Sequence, residues 1–209
     1  MTDAAIRSFV YLLDPLCGWC YGAAPAVRWL REQPGVTLQA RPVGLFAWDQ
    51  ARALDGMRDH IHAADARIAA LTGQVFSAAY ADRVIGDAAA RLDSGPATSA
   101  LFAAERQRAG GALDLLAAIQ AARWVEGRDV ADRAVLSALA ADLGLVLPDD
   151  EVVDDAALRQ WVDEAAMLLT RSGAGGVPTL LRQQDGRLQV VPSAYLYQSR
   201  ARLANLLAA

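Results

Sequence analysis

The 209-residue chain has two cysteines, spaced as Cys17-Gly18-Trp19-Cys20. An apolar run rich in β-branched and aromatic residues, Ile6 to Leu13, stands before them, and a helix-compatible run, Ala23 to Glu32, follows. The first run reads as a buried strand. Strand, short turn and helix together place Cys17 at the first turn of the helix, where unpaired backbone N–H groups and the helix dipole favour a negative charge. The thiolate is the reactive form of cysteine, so a nucleophilic sulfur belongs at this position. Cys20 lies one turn further on, close enough to form a disulfide with Cys17. The pair predicts a redox-active dithiol, with Cys17 as nucleophile and Cys20 as resolving thiol.

Ala26, Val27 and Leu30 give the first helix an apolar stripe, and Pro34-Gly35 stops it. Val36 to Val43 reads as a second strand, so the start of the chain is a strand–helix–strand unit with a parallel crossover. From about Asp49 to Asp154 the pattern is helical. Leu54, Met57, Ile61, Ala64, Ile68 and Leu71 recur at spacings of three and four, as one buried helix face does. Phe76 to Val84 predicts a weaker helix. Asp93-Ser94-Gly95-Pro96 is a capped start for a helix reaching about Arg108, and Leu115, Ile119 and Ala122 support another. Asp129 is placed to cap a further helix with Val135, Leu136, Leu139 and Leu143 inward. No strand signal interrupts this stretch. A long helix from Asp155 to Ser172 buries Leu158, Trp161, Val162, Ala165 and Leu169. A glycine loop then leads into a strand at Pro178-Thr179, an Asp-Gly hairpin turn at Gln184-Asp185-Gly186-Arg187 and a partner strand, Leu188 to Val191. Ala194 to Leu207 closes the chain as a helix. The expected organisation is α/β, with one domain formed by 1–48 and 155–209 and an all-helical insertion over 49–154.

Composition narrows the function. Hydrophobic residues make up 54%, ample for a packed core. A net charge of −4 and a pI of about 5.1 argue against nucleic acid as a partner. All 20 basic residues are arginine. No apolar stretch approaches the roughly 20 residues that span a bilayer, and the chain starts without a cationic, signal-like segment. A cytoplasmic protein is expected, and there a lone cysteine pair is redox-active more often than a structural staple.

Two distant features then agree: Cys17-Gly18-Trp19-Cys20 after the first strand, and Val177-Pro178-Thr179 opening a hairpin strand about 160 residues later. With Asp14-Pro15-Leu16 before the cysteines, Arg67-Ile68-Ala69-Ala70-Leu71-Thr72-Gly73 and Gly176-Val177-Pro178-Thr179, the chain resembles the cytoplasmic FrnE-like, protein-disulfide-isomerase branch of the DsbA family. That resemblance implies a thioredoxin-like fold with a helical insertion and thiol–disulfide exchange with protein or peptide thiols. It implies a cis Pro178 facing the disulfide, with the Val177 backbone offered to an extended peptide. It also implies Trp19 and Tyr21 lining the groove beside Val177, and Asp14 taking the proton of Cys20 through water. The redox centre would be the Cys17–Cys20 disulfide itself, with no resident cofactor and with glutathione as a candidate co-substrate. Gly18-Trp19 holds neither the histidine of DsbA nor the proline of thioredoxin. One thiolate donor is thus missing, which predicts a disulfide less oxidising than that of DsbA, nearer the thioredoxin end of a range of roughly −270 to −120 mV.

Kappa-type glutathione transferases and 2-hydroxychromene-2-carboxylate isomerases share the inserted architecture but use a serine as nucleophile. A glutathione-linked transferase or isomerase is therefore the alternative, and the resolving Cys20 favours the oxidoreductase. His60 and His62, two apart on a helix, point to different faces, so no metal site is expected. The acidic run Asp149-Asp150-Glu151 with Asp154-Asp155 reads as a solvated helix-capping surface. These motifs do not specify the oligomeric state or the direction of electron flow.

Overall fold

The computed structural model describes residues 7–148, 155–184, 186–197 and 200–208. At its centre β1 (Arg7–Leu13) runs parallel to β2 (Val36–Pro42), pairing Arg7 with Val36 through Leu13 with Pro42. On its other side β1 pairs antiparallel with β5 (Thr179–Gln184), from Ser8 opposite Gln183 to Leu12 opposite Thr179. β6 (Arg187–Val191) completes the sheet in the order β2-β1-β5-β6. β1 is thus an inner strand, and both its faces are covered. Phe9, Tyr11 and Leu13 face the main core, while Leu12 packs with Leu181 and with Ala165 of the long helix α7 (Asp155–Ser172). A strand buried on both faces needs a nearly continuous apolar run, which is what the sequence shows there.

Helix α1 (Gly18–Arg31) connects β1 to β2. It contains Pro25, which has no N–H to offer the carbonyl one turn back. That carbonyl, on Tyr21, accepts a bond from Gln74 Nε2 at 2.8 Å instead. Gln74 follows α2 (Arg58–Thr72), which Gly73 ends in the left-handed conformation at φ 73°. α1 and α2 touch closely at Gly22, where a Cβ would lie 2.7 Å from Ile68 Cγ2. The insertion continues through α3 (Ala78–Tyr80) and a π-helical turn (Ala81–Ile85), then α4 (Gly95–Gln107), α5 (Gly111–Trp124) and α6 (Arg133–Asp142). One apolar cluster includes Phe9, Tyr11 and Leu30 of the βαβ unit together with Leu101, Leu115, Ile119 and Trp124 of the insertion.

Several expectations are corrected. The stretch read as all-helical contains two short paired strands, β3 (Arg52–Ala53) and β4 (Arg91–Leu92). Two residues are too few for an alternating pattern to show. Leu54 is buried, but ahead of α2 and not on its face, and Leu71 is exposed at the end of that helix. Asp132, not Asp129, caps α6 by accepting from Ala134 N. The closing helix is split into a 3₁₀ turn (Ser193–Leu196) and α8 (Arg200–Ala208). Of the acidic run, 149–151 and 154 lie outside the described residues.

The Gly22 contact yields a stability prediction. Gly22→Ala forces the β-branched Ile68 to shift and lowers the unfolding free energy by about 1–3 kcal/mol, the usual range for overpacking, as urea denaturation will measure.

Candidate active site

Cys17 is the N-cap residue of α1, with extended backbone angles of φ −76° and ψ 115°. Its Sγ accepts the N–H of Cys20 at 3.4 Å, so sulfur occupies the place usually taken by a serine or aspartate oxygen. No acidic residue stands in the first turn of α1 to compete for those donors. Both cysteines are free thiols. Cys17 is 7% exposed and Cys20 0%, so an incoming sulfur meets Cys17 first. Burial pushes the Cys20 thiol well above its ordinary range, and the hydrogen bond and charge of Cys17 add to the effect.

Gly18 has a physical reason to lack a side chain. A Cβ there would sit 3.2 Å from Ile68 Cδ1 and 3.3 Å from Asp65 Oδ1 on α2. The peptide bond between Val177 and Pro178 is cis, and the Val177 carbonyl lies 3.8 Å from Cys17 Sγ, which donates to it. Antiparallel pairing of β5 with β1 brings these residues to the cysteine turn.

Asp14 is fully buried at the end of β1. Its Oδ1 accepts the N–H of Leu16 at 2.9 Å, and its Oδ2 accepts the N–H of Phe46 at 3.1 Å and the hydroxyl of Ser94 at 2.8 Å. Burial raises its pKa, and the three donors act in the opposite direction. Ser94 stands where a helix-capping side chain was expected, but its hydroxyl is directed to Asp14. Asp93 Oδ1 accepts the Gly95 N–H at 2.9 Å in its place.

Trp19 is half-buried. Its ring meets Tyr197 edge-on at 5.4 Å, with the Arg67 guanidinium carbon 5.7 Å from the ring centre. Trp19, Gly176, Val177, Pro178 and Tyr197 line an open groove of about 450 Å³. Tyr21 does not line it. Its ring is buried at 6% exposure, stacks on Trp124 at 4.6 Å and 7°, and donates its hydroxyl to the Val75 carbonyl. Two residues on from Trp19 along a helix, Tyr21 points elsewhere and anchors α1 to the insertion.

A second cavity, of about 250 Å³, is lined by Cys17, Trp19 and Val177 together with Asp65, Tyr80 and Arg123. Asp65 Oδ2 accepts the Tyr80 hydroxyl at 3.1 Å. Burial raises the Asp65 pKa to about 6, while Tyr80, His62 and Arg123 moderate the shift. These three residues and Ser94 were missed from sequence, although a signal existed. Asp65 lies four after Ile61 and Arg123 four after Ile119, so each is a charged residue on an apolar helix stripe. A third cavity, of about 410 Å³, reaches Cys20 from behind, past Tyr11 and Gln120. His60 and His62 are exposed, and the described residues include no cluster that could hold a metal ion.

A family model described as DSBA-like thioredoxin domain matches residues 10–204. The chain belongs to that family. Among solved structures, the cytosolic disulfide reductase DsbM from Pseudomonas aeruginosa is 39% identical, with 96% of this chain and 97% of that chain covered and a TM-score of 0.84. A structure of DsbM with GSH gives 37% identity, 96% and 98% coverage and a TM-score of 0.82. A 2-hydroxychromene-2-carboxylate isomerase shares the fold at 16% identity, with 95% of each chain covered and a TM-score of 0.59. Comparison with curated proteins gives no match. The DsbA-like fold is that expected from the cysteine turn and the late proline strand. No helix among the described residues is long and apolar enough to cross a membrane.

The pKa of Asp65 yields a pH prediction. A carboxyl whose folded pKa lies above its unfolded one binds its proton more tightly when folded. The resulting stability is full below about pH 4 and is lost as pH rises through about 6. Asp65→Asn lacks this dependence. Its stability relative to the unsubstituted protein therefore rises by about 2 kcal/mol between pH 4 and 6.5, measured by urea denaturation at each pH.

Proposed function

We propose that the protein is a thiol–disulfide oxidoreductase working through Cys17 and Cys20, with peptide or protein disulfides as substrates and a glutathione-class thiol as reductant. The observation that carries this reading is the position of Cys17 Sγ, between the Cys20 N–H of α1 and the carbonyl of Val177, a residue that itself lines the Trp19–Pro178 groove. A substrate strand laid along that groove would pair with the Val177 backbone and bring its disulfide in line with Cys17. Cys17 thiolate attacks one substrate sulfur, forms a mixed disulfide and expels the other sulfur as a thiolate. Cys20 then loses its proton and attacks Cys17 Sγ, releasing the second substrate sulfur. The substrate gains two electrons and the protein holds a Cys17–Cys20 disulfide. Two molecules of a small thiol reverse that oxidation and leave as one disulfide.

Cys20 is fully buried and its thiol is reluctant to ionise, so its attack requires a base. Asp14 is the proposed acceptor, buried nearby with a raised pKa and held by Leu16, Phe46 and Ser94. The reductase direction and a cytosolic setting are supported by the likeness to DsbM, and glutathione by the DsbM structure with GSH. The isomerase likeness is one of fold, and that chemistry needs no resolving thiol.

Reduction of insulin by dithiothreitol tests the reading. The protein is expected to accelerate it and Cys17→Ser to abolish the acceleration, whereas equal rates with and without protein would remove the proposal. Asp14→Asn is expected to slow the Cys20 step by about a hundredfold, within the usual range for a general base, so that mixed disulfide at Cys17 accumulates and is visible by mass spectrometry after acid quench.

A further inference from the structure

The cavity on the insertion side of Cys17 holds two charges that the exchange chemistry does not use. Arg123 is 4% exposed, yet its Nε has no hydrogen-bond partner. The ion pairs among the described residues do not include it. Its guanidinium carbon lies 5.8 Å from the ring centres of both Tyr80 and Trp124, so aromatic faces hold it in place without neutralising it. Burial disfavours its charge, and Tyr80, Asp129, Asp65 and Asp14 favour it only from beyond ion-pair distance. Asp65, 7% exposed, lines the same cavity, held by the Tyr80 hydroxyl, with Oδ1 close to Gly18. An anion and a cation, not paired with each other, thus face one cavity that Cys17 also borders.

We propose that Asp65 and Arg123 recognise the zwitterionic α-amino-carboxylate head of a cysteine-like thiol, with the ammonium at Asp65, the carboxylate at Arg123 and the thiol sulfur at Cys17. The proposal rests on the reading of Cys17 and Cys20 as an exchange pair and names a binding site for a small reductant whose charges adjoin its sulfur. A planar guanidinium suits a carboxylate, and a carboxylate fixed by a neutral donor keeps acceptor capacity for an ammonium. A cavity of about 250 Å³ admits an amino-acid-sized head but not a folded surface. An internal residue of a polypeptide carries neither of these charges, so a protein substrate is left to the groove at Trp19 and Pro178. Oxidised substrate and small reductant would then reach one sulfur from two sides. In the reductive half, the small thiolate attacks Cys17 Sγ of the Cys17–Cys20 disulfide, and Cys20 leaves and takes a proton. A second small thiolate then attacks the mixed disulfide, leaving Cys17 reduced and one small-molecule disulfide.

The test is a panel of thiols reacting with the oxidised full-length protein, each rate corrected for thiolate fraction. Cysteine carries both charges beside its thiol, cysteamine only the ammonium, 3-mercaptopropionate only the carboxylate, and 2-mercaptoethanol neither. Cysteine is expected to react about tenfold or more faster than the other three, as one charge-assisted hydrogen bond allows. Arg123→Gln should collapse the cysteine-to-cysteamine ratio, with Arg123→Lys partly restoring it. Asp65→Asn should collapse the cysteine-to-3-mercaptopropionate ratio. Panel rates within about threefold of one another overturn the proposal, and this arm needs only the unsubstituted protein should Arg123→Gln fail to fold. An equal fall for every thiol in Arg123→Gln marks a merely structural arginine and overturns it too. Failure of all thiols, dithiothreitol included, to reduce the disulfide removes the exchange reading itself and is thereby told apart from a failure of recognition.

Discussion

A sulfur atom serves as the first cap of a helix, and the rest of the site is arranged around that substitution. Cys17 Sγ takes the N–H of Cys20 where an oxygen normally would. The donor field that stabilises helix starts is thus applied to an atom that can also make and break covalent bonds. The flanking structure keeps the arrangement fixed. β1 ends immediately before it with both faces covered, and Asp14 ties the turn to Leu16 and Phe46. Gly18 lets α2 approach so closely that a methyl group would crowd Ile68 and Asp65. The other wall comes from the far end of the chain, because β5 pairs with β1 and carries Val177 and Pro178 at its start.

The helical insertion supplies much of the site's electrostatic environment. Ser94, at the start of α4, gives its hydroxyl to the buried Asp14 and leaves the capping of its own helix to Asp93. Trp124 at the end of α5 stacks on Tyr21, so the first turns of α1 are packed against the insertion as well as against the sheet. Pro25 frees the Tyr21 carbonyl, and Gln74 beyond α2 takes it up. Local helix rules are broken at Ser94 and Pro25, and each break is answered by a specific contact across the boundary between the two parts of the chain.

What was legible in the sequence follows from the range of the forces involved. The cysteine turn, β1, α1 and β2 could be read because periodicity and stop residues act over a few positions. The pairing of β5 with β1 bridges more than 160 residues. Only the Val177-Pro178-Thr179 likeness, not any spacing rule, brought it into view. Tyr21 was expected in the groove together with Trp19, whereas helical phase sends it to Trp124. Asp65 and Arg123 went unnoticed because a stripe is traced through its apolar members, and charged residues on the same face drop out of the pattern. β3 and β4 were hidden by their length, since two residues have no period. Ser94 was placed correctly at a helix start, but the identity of its acceptor depended on tertiary contacts.

The continuous core has a mechanical corollary. Phe9 and Leu30 share one apolar cluster with Leu101, Ile119 and Trp124, so the helices are not a lid on a hinge. Swinging them outward would expose apolar surface of both parts at once. The gap beside Cys17 is therefore walled by elements that share one core. A bulky guest would have to adapt its own shape, threading a loose, extended segment past Trp19 while its folded bulk stays outside.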